Sequence, residues 1–236
     1  MSTEERVEAW IDQGDEALEG GDPAQALSCF DEALREDPEH WGAFLGRVES
    51  LHALWRTEDA LREVTAARPA EGEEDDPDRA DLEARVLEAA GRFDEADQLF
   101  AEANRLAPSE YPLPARTSES DFRDILDSVL ESLPPVIRET VQSVPVLVQL
   151  KPTAEIADRA PHITPDVLGL FVGVSVGDQV TAPSGYPDVV LLFQRNLERA
   201  GRTRREVARE IKVTLLHEYG HYLGFDEEEL EHLGLG

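Results

Sequence analysis

The sequence is poor in sulfur and in lysine. Its only cysteine is Cys29, so no disulfide can form within the chain, and a reducing cytoplasm is the simplest address. Its only methionine is Met1. Two lysines, Lys151 and Lys212, stand against 51 acidic residues, and the formal charge is −29. A protein that grips a phosphate backbone needs clustered Lys and Arg, so no nucleic-acid partner is expected. No apolar run approaches about 18 residues, and the opening MSTEERVEAW has no basic stretch leading into an apolar one. Neither a membrane span nor a secretory leader is expected.

What is abundant is acid, and it is unevenly spread. Residues 1–108 hold 30 acidic and 10 basic residues, the remainder 21 and 12. Such an excess keeps a protein soluble and is compatible with a basic protein or peptide partner.

Positions 1–108 repeat themselves with a period near 34. Trp10, Gly14, Ala17, Gly21, Ala26, Phe30, Ala33 and Pro38 form the first unit. Phe44, Leu51, Ala60, Val64 and Ala67 echo it, and Leu87, Gly91, Ala96, Phe100, Ala103 and Pro108 echo it again after a charged insert, EGEEDDPD at 71–78. The spacing predicts two short helices per unit. Small residues let paired helices approach, aromatics fill the gaps between pairs, and the prolines end the second helices. One such unit cannot bury its apolar face alone, so units stack. The pattern resembles tetratricopeptide repeats, with a degenerate middle unit in which Trp55 stands where a glycine is usual. The resemblance implies a protein-interaction module; a scaffold or dimerisation surface is the alternative. Cys29, beside the core residue Phe30, reads as a packed thiol.

SEYPLPARTSES (109–120) breaks from the repeats in composition and reads as a linker. Ser120 or Asp121 can cap the next helix, whose apolar positions are Phe122, Ile125, Leu126, Val129 and Leu130; Pro134 and Pro135 interrupt it. VPVLVQL (144–150), LGLFVGVSV (168–176) and DVVLLFQ (188–194) read as strands. A long helix from Thr203 carries Val207, Ile211, Leu215, Tyr219 and Tyr222 on its apolar face.

That helix ends in HEYGHYLG (217–224). His217 and His221 lie four apart, hence one turn apart on one face, where both imidazoles can meet a single Zn²⁺ at roughly 2.0–2.1 Å. In an HExxH pattern the glutamate, here Glu218, leaves the metal to the histidines and serves as general base toward the water the metal activates. Gly224 stands where the helix must stop and the chain turn back. His162 lies in a loop that could approach the cleft, and Tyr219 or Tyr222 could donate to an oxyanion, although core packing is the default for both.

HEYGHYLGFDEEEL closely resembles the small bacterial zincin-like metallopeptidases, and LGLFVGVSV and PDVVLLFQRNLER resemble that family's second and third strands. The resemblance, over about 120 residues, implies a helix, a twisted sheet and a zinc helix, with peptidase chemistry at a cleft along an edge strand. It also implies an acidic third ligand at the eleventh position of the motif, here Glu227, with Asp226 as runner-up and Glu228, Glu231 or His232 further options. A Met-turn is impossible with Met1 as the sole methionine.

Two domains are therefore expected: an all-α, tetratricopeptide-like helical-repeat domain (1–108), the linker (109–120) and a small α+β zincin-like domain (121–236). The expected function is a cytoplasmic peptidase with one zinc per chain, Glu218 as base, and repeats that recruit a peptide or protein substrate or a protein partner. The alternative is a repeat-type adaptor whose zinc domain is structural or weakly active. Glu218 favours the enzyme, because a structural zinc has no need of it.

Overall fold

The structure is a computed structural model that describes residues 2–66, 76–157, 160, 163–174 and 188–232, with the side chains of Val136, Glu227 and Glu231 outside the description. The chain divides into two compact units, Met1–Leu113 with Thr153–Asp166, and Pro114–Pro152 with Val167–Gly236. The first unit thus takes in a segment that lies within the stretch 121–236.

Three helical hairpins build the first unit: α1 (Thr3–Glu19) with α2 (Pro23–Glu36), α3 (Trp41–Ala53) with α4 (Thr57–Ala66), and α5 (Pro77–Ala89) with α6 (Phe93–Leu106). A short helix, α9 (Ala154–Ala157), belongs to the same unit. The helix starts follow local chemistry. Ser2 and Glu5 form a reciprocal capping box on α1, and Asp22 and Asp76 cap α2 and α5, each followed by a proline at the first helical position.

The role foreseen for small residues is realised around Phe30. A Cβ on Gly14 would stand 2.6 Å from the Phe30 ring, and one on Gly46 would collide with the same ring. Phe30 therefore fills the space between α1, its own helix and α3, with Ala26, Ala33 and Ala43 fully buried around it. Cys29 is buried, and burial pushes its thiol up, as for a packing residue.

The turn after the first helix of each pair needs a left-handed residue. Gly21 (φ 74°), Trp55 (φ 61°) and Gly91 (φ 80°) supply it in the three repeats. Glycine does so freely; for a bulky residue this conformation costs roughly 1–2 kcal/mol. Trp55 thus holds a strained backbone at the place where the sequence departs from the repeat.

In the second unit, α7 (Glu119–Ser132) and α8 (Pro135–Ser143) precede β1 (Val146–Gln149), β2 (Gly169–Val172), β3 (Val189–Phe193), α10 (Gln194–Ala200), α11 (Arg204–Leu223) and α12 (Glu227–His232). The three strands fall inside the expected segments. The cap of α7 is Ser118, which accepts from Asp121 N–H at 3.1 Å, rather than Ser120 or Asp121. The helix α10 was not expected, because the polar run after β3 gives little pattern of its own. Its buried Glu198 accepts from both the N–H and the hydroxyl of Thr117, and Gln194 donates to Glu198 at 2.8 Å. These bonds fasten residues that read as linker onto the domain that follows.

Sheet order is β1-β3-β2, with β1 parallel and β2 antiparallel to β3. Phe122, Ile125 and Val129 of α7, Val190 and Leu192 of β3, and Val207, Ile211, Leu215 and Tyr219 of α11 form one core. Burying each large apolar side chain of this kind contributes about 1.5–3 kcal/mol. No helix among the described residues is long and apolar enough to cross a membrane.

All three tryptophans, Trp10, Trp41 and Trp55, lie in the repeats, so their fluorescence reports on that unit alone. Phe30→Ala is expected to destabilise it by about 3–5 kcal/mol, seen as a lower urea midpoint by tryptophan fluorescence. An unmoved midpoint would contradict the packing role of this ring.

Candidate functional site

The site is built on α11, which Thr203 caps by accepting from Glu206 N–H at 3.2 Å. Thr214, His217, Glu218 and His221 recur at the spacing of one helical face, beside the stripe that enters the core. Two of them meet β2. A Cβ on Gly169 would stand 2.5 Å from the Thr214 methyl, so only glycine lets the helix come this close. One turn further on, the Phe171 N–H donates to Glu218 Oε2 at 2.6 Å. Residues two apart on a strand are separated by about 6.6 Å, and residues four apart on a helix rise by about 6 Å, so strand and helix keep step over this distance. The N–H of Phe193 donates to the Leu168 carbonyl at 3.0 Å, which fixes the ladder register and turns Phe171 N–H away from β3. Glu218 is buried, and this edge-strand donor orients its carboxylate.

The histidines converge. His217 Nε2 and His221 Nε2 are 2.9 Å apart, with ring planes at 85°. Two nitrogens bound to one zinc ion at ~2.05 Å stand ~2.9 Å apart at a right angle and ~3.4 Å apart at the tetrahedral angle. The pair thus matches the bite of a single ion with an adjustment of about half an ångström.

The tautomer agrees. His221 Nδ1 lies 3.3 Å from the Phe225 carbonyl. A carbonyl only accepts, so a ring bonded there carries a proton on Nδ1, which leaves Nε2 as the nitrogen placed to hold a metal at the shared point. The carbonyl is placed there by the helix end. Gly224 is left-handed (φ 96°), Phe225 N–H donates to the Gly220 carbonyl at 3.1 Å, and Gly224 N–H donates to the His221 carbonyl at 3.0 Å. This is a Schellman turn. Gly220 has a second part: a Cβ there would collide with Leu230, which is fully buried and seats α12 against α11.

The other candidates divide. Glu227 lies at the first position of α12, and its carboxylate is outside the described residues. Asp226 Oδ1 accepts from Glu229 N–H at 2.9 Å, and Asp226 N–H donates to Glu229 Oε2 at 3.1 Å, a capping box that gives Asp226 work at the start of α12. The Asp-x-x-Glu spacing in the sequence carried that signal. His232 Nδ1 lies 2.7 Å from the Glu228 carbonyl. His162 lies outside the described residues, as do the side chain of Glu231 and the last two residues of the expected second strand, 175–176. Tyr219 is in the core, donates to the Val144 carbonyl at 2.8 Å, and burial drives its phenol well above the ordinary range; this tyrosine is committed to the fold. Tyr222 packs edge-on against Phe171 with centroids 5.5 Å apart. The two partners that residue types could not reveal, Phe171 N–H and the Phe225 carbonyl, are backbone groups.

Comparison with known proteins agrees with this architecture. Residues 141–236 match the family described as zincin-like metallopeptidase, and residues 11–76 match the tetratricopeptide repeat, each less than half of the chain. The chain therefore carries tetratricopeptide repeats ahead of a zincin-like metallopeptidase domain. It is also similar to the "Protein STIP1 homolog" of Dictyostelium discoideum, 31% identical over 111 residues that make up 47% of this chain and 19% of that protein. The match thus spans about a fifth of that relative's length.

Gly224→Ala tests the turn beneath the second histidine. A side chain at φ 96° should destabilise the second unit by about 1 kcal/mol. It should also shift His221 from the Nδ1–H form toward a mixture of tautomers, as read by imidazole nitrogen NMR. Unchanged nitrogen shifts would mean that the Phe225 carbonyl does not set the ring.

Proposed function

We propose that the chain is a cytoplasmic zinc-dependent peptidase whose repeats recruit its substrate or a protein partner. The observation that carries this reading is the convergence of the His217 and His221 Nε2 atoms, 2.9 Å apart, beside a buried carboxylate held by the edge strand. His217 and His221 would hold one zinc ion per chain, with Glu227 as the third ligand and Asp226, already engaged as a helix cap, as runner-up. When bound, zinc supplies a Lewis acid that makes water acidic and polarises a carbonyl. Glu218 takes the proton from the attacking water and delivers it to the leaving amine. β2, at the end of the β1-β3-β2 order, offers its outer side to an extended peptide, which would lie as an added strand. Phe171 N–H, which faces that side, aims the base.

The repeats (1–108) are the recruiting half and 121–236 the cutting half, joined through 109–120. Their acidity suits a basic partner segment, and nothing in their charge suits nucleic acid.

Metal analysis and a peptide-library digest test the proposal together. Wild type is expected to hold about one zinc per chain, and His217→Ala with His221→Ala to lose it. Glu218→Gln should keep the metal while hydrolysis falls by ~10²-fold or more, the usual scale for a lost general base. Glu227→Gln should weaken zinc affinity and lose activity through metal loss. Undiminished zinc in the double alanine variant would move the site elsewhere. Undiminished hydrolysis in Glu218→Gln would remove Glu218 as the base and with it the main argument that this domain is the peptidase. Unchanged zinc affinity in Glu227→Gln would reassign the third ligand.

A further inference from the structure

The degenerate middle repeat departs from its neighbours where it meets another part of the first unit. Trp55 occupies the turn that Gly21 and Gly91 fill elsewhere and keeps a left-handed backbone that disfavours any side chain. Its indole N–H donates to the Ile163 carbonyl at 3.0 Å. Three residues further along, Asp166 Oδ2 lies 3.2 Å from His52 Nε2 and accepts from Arg85 Nη1 at 3.0 Å. His52 is 1% exposed. Arg85 also forks onto both oxygens of Glu49, at 2.8 and 3.0 Å, and reaches Asp81 at 3.1 Å. Three carboxylates thus share one guanidinium, and His52 lies against the same Asp166 oxygen that Arg85 reaches. Ile163 itself is buried.

We propose that His52, Trp55 and Arg85 form a receptor on the second and third repeats for the chain's own Ile163–Asp166 segment. The repeats hold the connection between β1 and β2 as an internal ligand. Trp55 replaces the usual glycine because its indole makes one of the three bonds, which accounts for a strained residue that repeat packing does not require. Gly169 opens β2 three residues after Asp166 in the chain. The proposal is independent of the metal reading, since no residue of the histidine pair enters it.

Hydrogen exchange by mass spectrometry on the full chain tests it, following peptides that cover 160–170 and those of α3 and α4. Trp55→Gly removes the indole donor and suits the backbone. Exchange in 160–170 should quicken about fivefold, the scale of one lost neutral hydrogen bond, while α3 and α4 keep or gain protection. Trp55→Phe keeps a ring but has no N–H, and should also quicken the segment. Asp166→Ala, which lies on the segment, should quicken it roughly tenfold or more, because charge-assisted bonds are lost. Unchanged exchange in 160–170 for Trp55→Gly and Asp166→Ala would overturn the receptor. So would loss of protection in α3 and α4 in step with the segment, which would show ordinary repeat unfolding.

Discussion

The close approach of α11 to β2 is the constraint on which the candidate site depends. It is made by an absence and a bond: no side chain at Gly169, where the Thr214 methyl enters, and one backbone proton from Phe171 to Glu218. Because the two sit one helical turn apart, they fix both the distance and the rotation of the helix about its axis. Rotation decides the chemistry. His217 and His221 ride on the same helix as Glu218, so turning it by even part of a residue would carry their shared point away from β2 without separating the two rings. The apolar stripe of Val207, Ile211, Leu215 and Tyr219 supplies the binding energy, and Gly169 with Phe171 supplies the register. Hydrophobic burial is non-directional and could not do this alone.

The far end of the helix is treated in the same way, by small residues and main-chain bonds. Gly220 admits Leu230, Gly224 takes the left-handed turn, and Phe225 returns its carbonyl to His221. Each glycine has a separate reason, one a close approach and the other a backbone conformation. The result is that the second histidine is held through its Nδ1 by the turn that ends the helix carrying it. A longer helix would place that carbonyl out of reach, and a side chain at Gly220 would push away α12, which begins with Glu227.

Much of this could be read from residue types. Repeat periodicity, the strands and the long helix from Thr203 follow from apolar spacing, and the turn at Gly224 from the need to stop a helix. The histidine pair and its glutamate follow from a four-residue separation. What stayed hidden has a common cause. Phe171 N–H and the Phe225 carbonyl are groups every residue has, so no letter in the sequence marks them. The order β1-β3-β2 is a long-range outcome that strand pattern does not encode. Ser118, Ser120 and Asp121 are all competent caps, and the choice of Ser118 depends on where Phe122 must point to enter the core. α10 forms because Glu198 and Gln194 find Thr117, partners nearly 80 residues distant in sequence. Local propensity is weak where such tertiary bonds decide.

Trp55 shows the opposite case, in which a departure visible in the sequence was informative. Read alone, a tryptophan at a glycine position suggests only a decayed repeat. The structure keeps the glycine backbone and places a tryptophan on it, so the turn's geometry has been retained against its cost. Decay would relax the geometry or leave the side chain without a partner; here the indole is hydrogen-bonded and the neighbouring His52 is buried against a carboxylate. The ionic surroundings point the same way. Burial alone would raise the Glu49 carboxyl, but Arg85 overrides it and holds the carboxyl below its ordinary range. A half-buried arginine shared among acids adds little net stability compared with an apolar plug of the same size. What it adds is direction, since a guanidinium accepts a carboxylate only along its N–H bonds. An apolar plug would tolerate the segment sliding by a residue. Arg85, His52 and the Trp55 indole together do not, because a shift of one residue would withdraw both the Ile163 carbonyl and the Asp166 carboxylate from their donors.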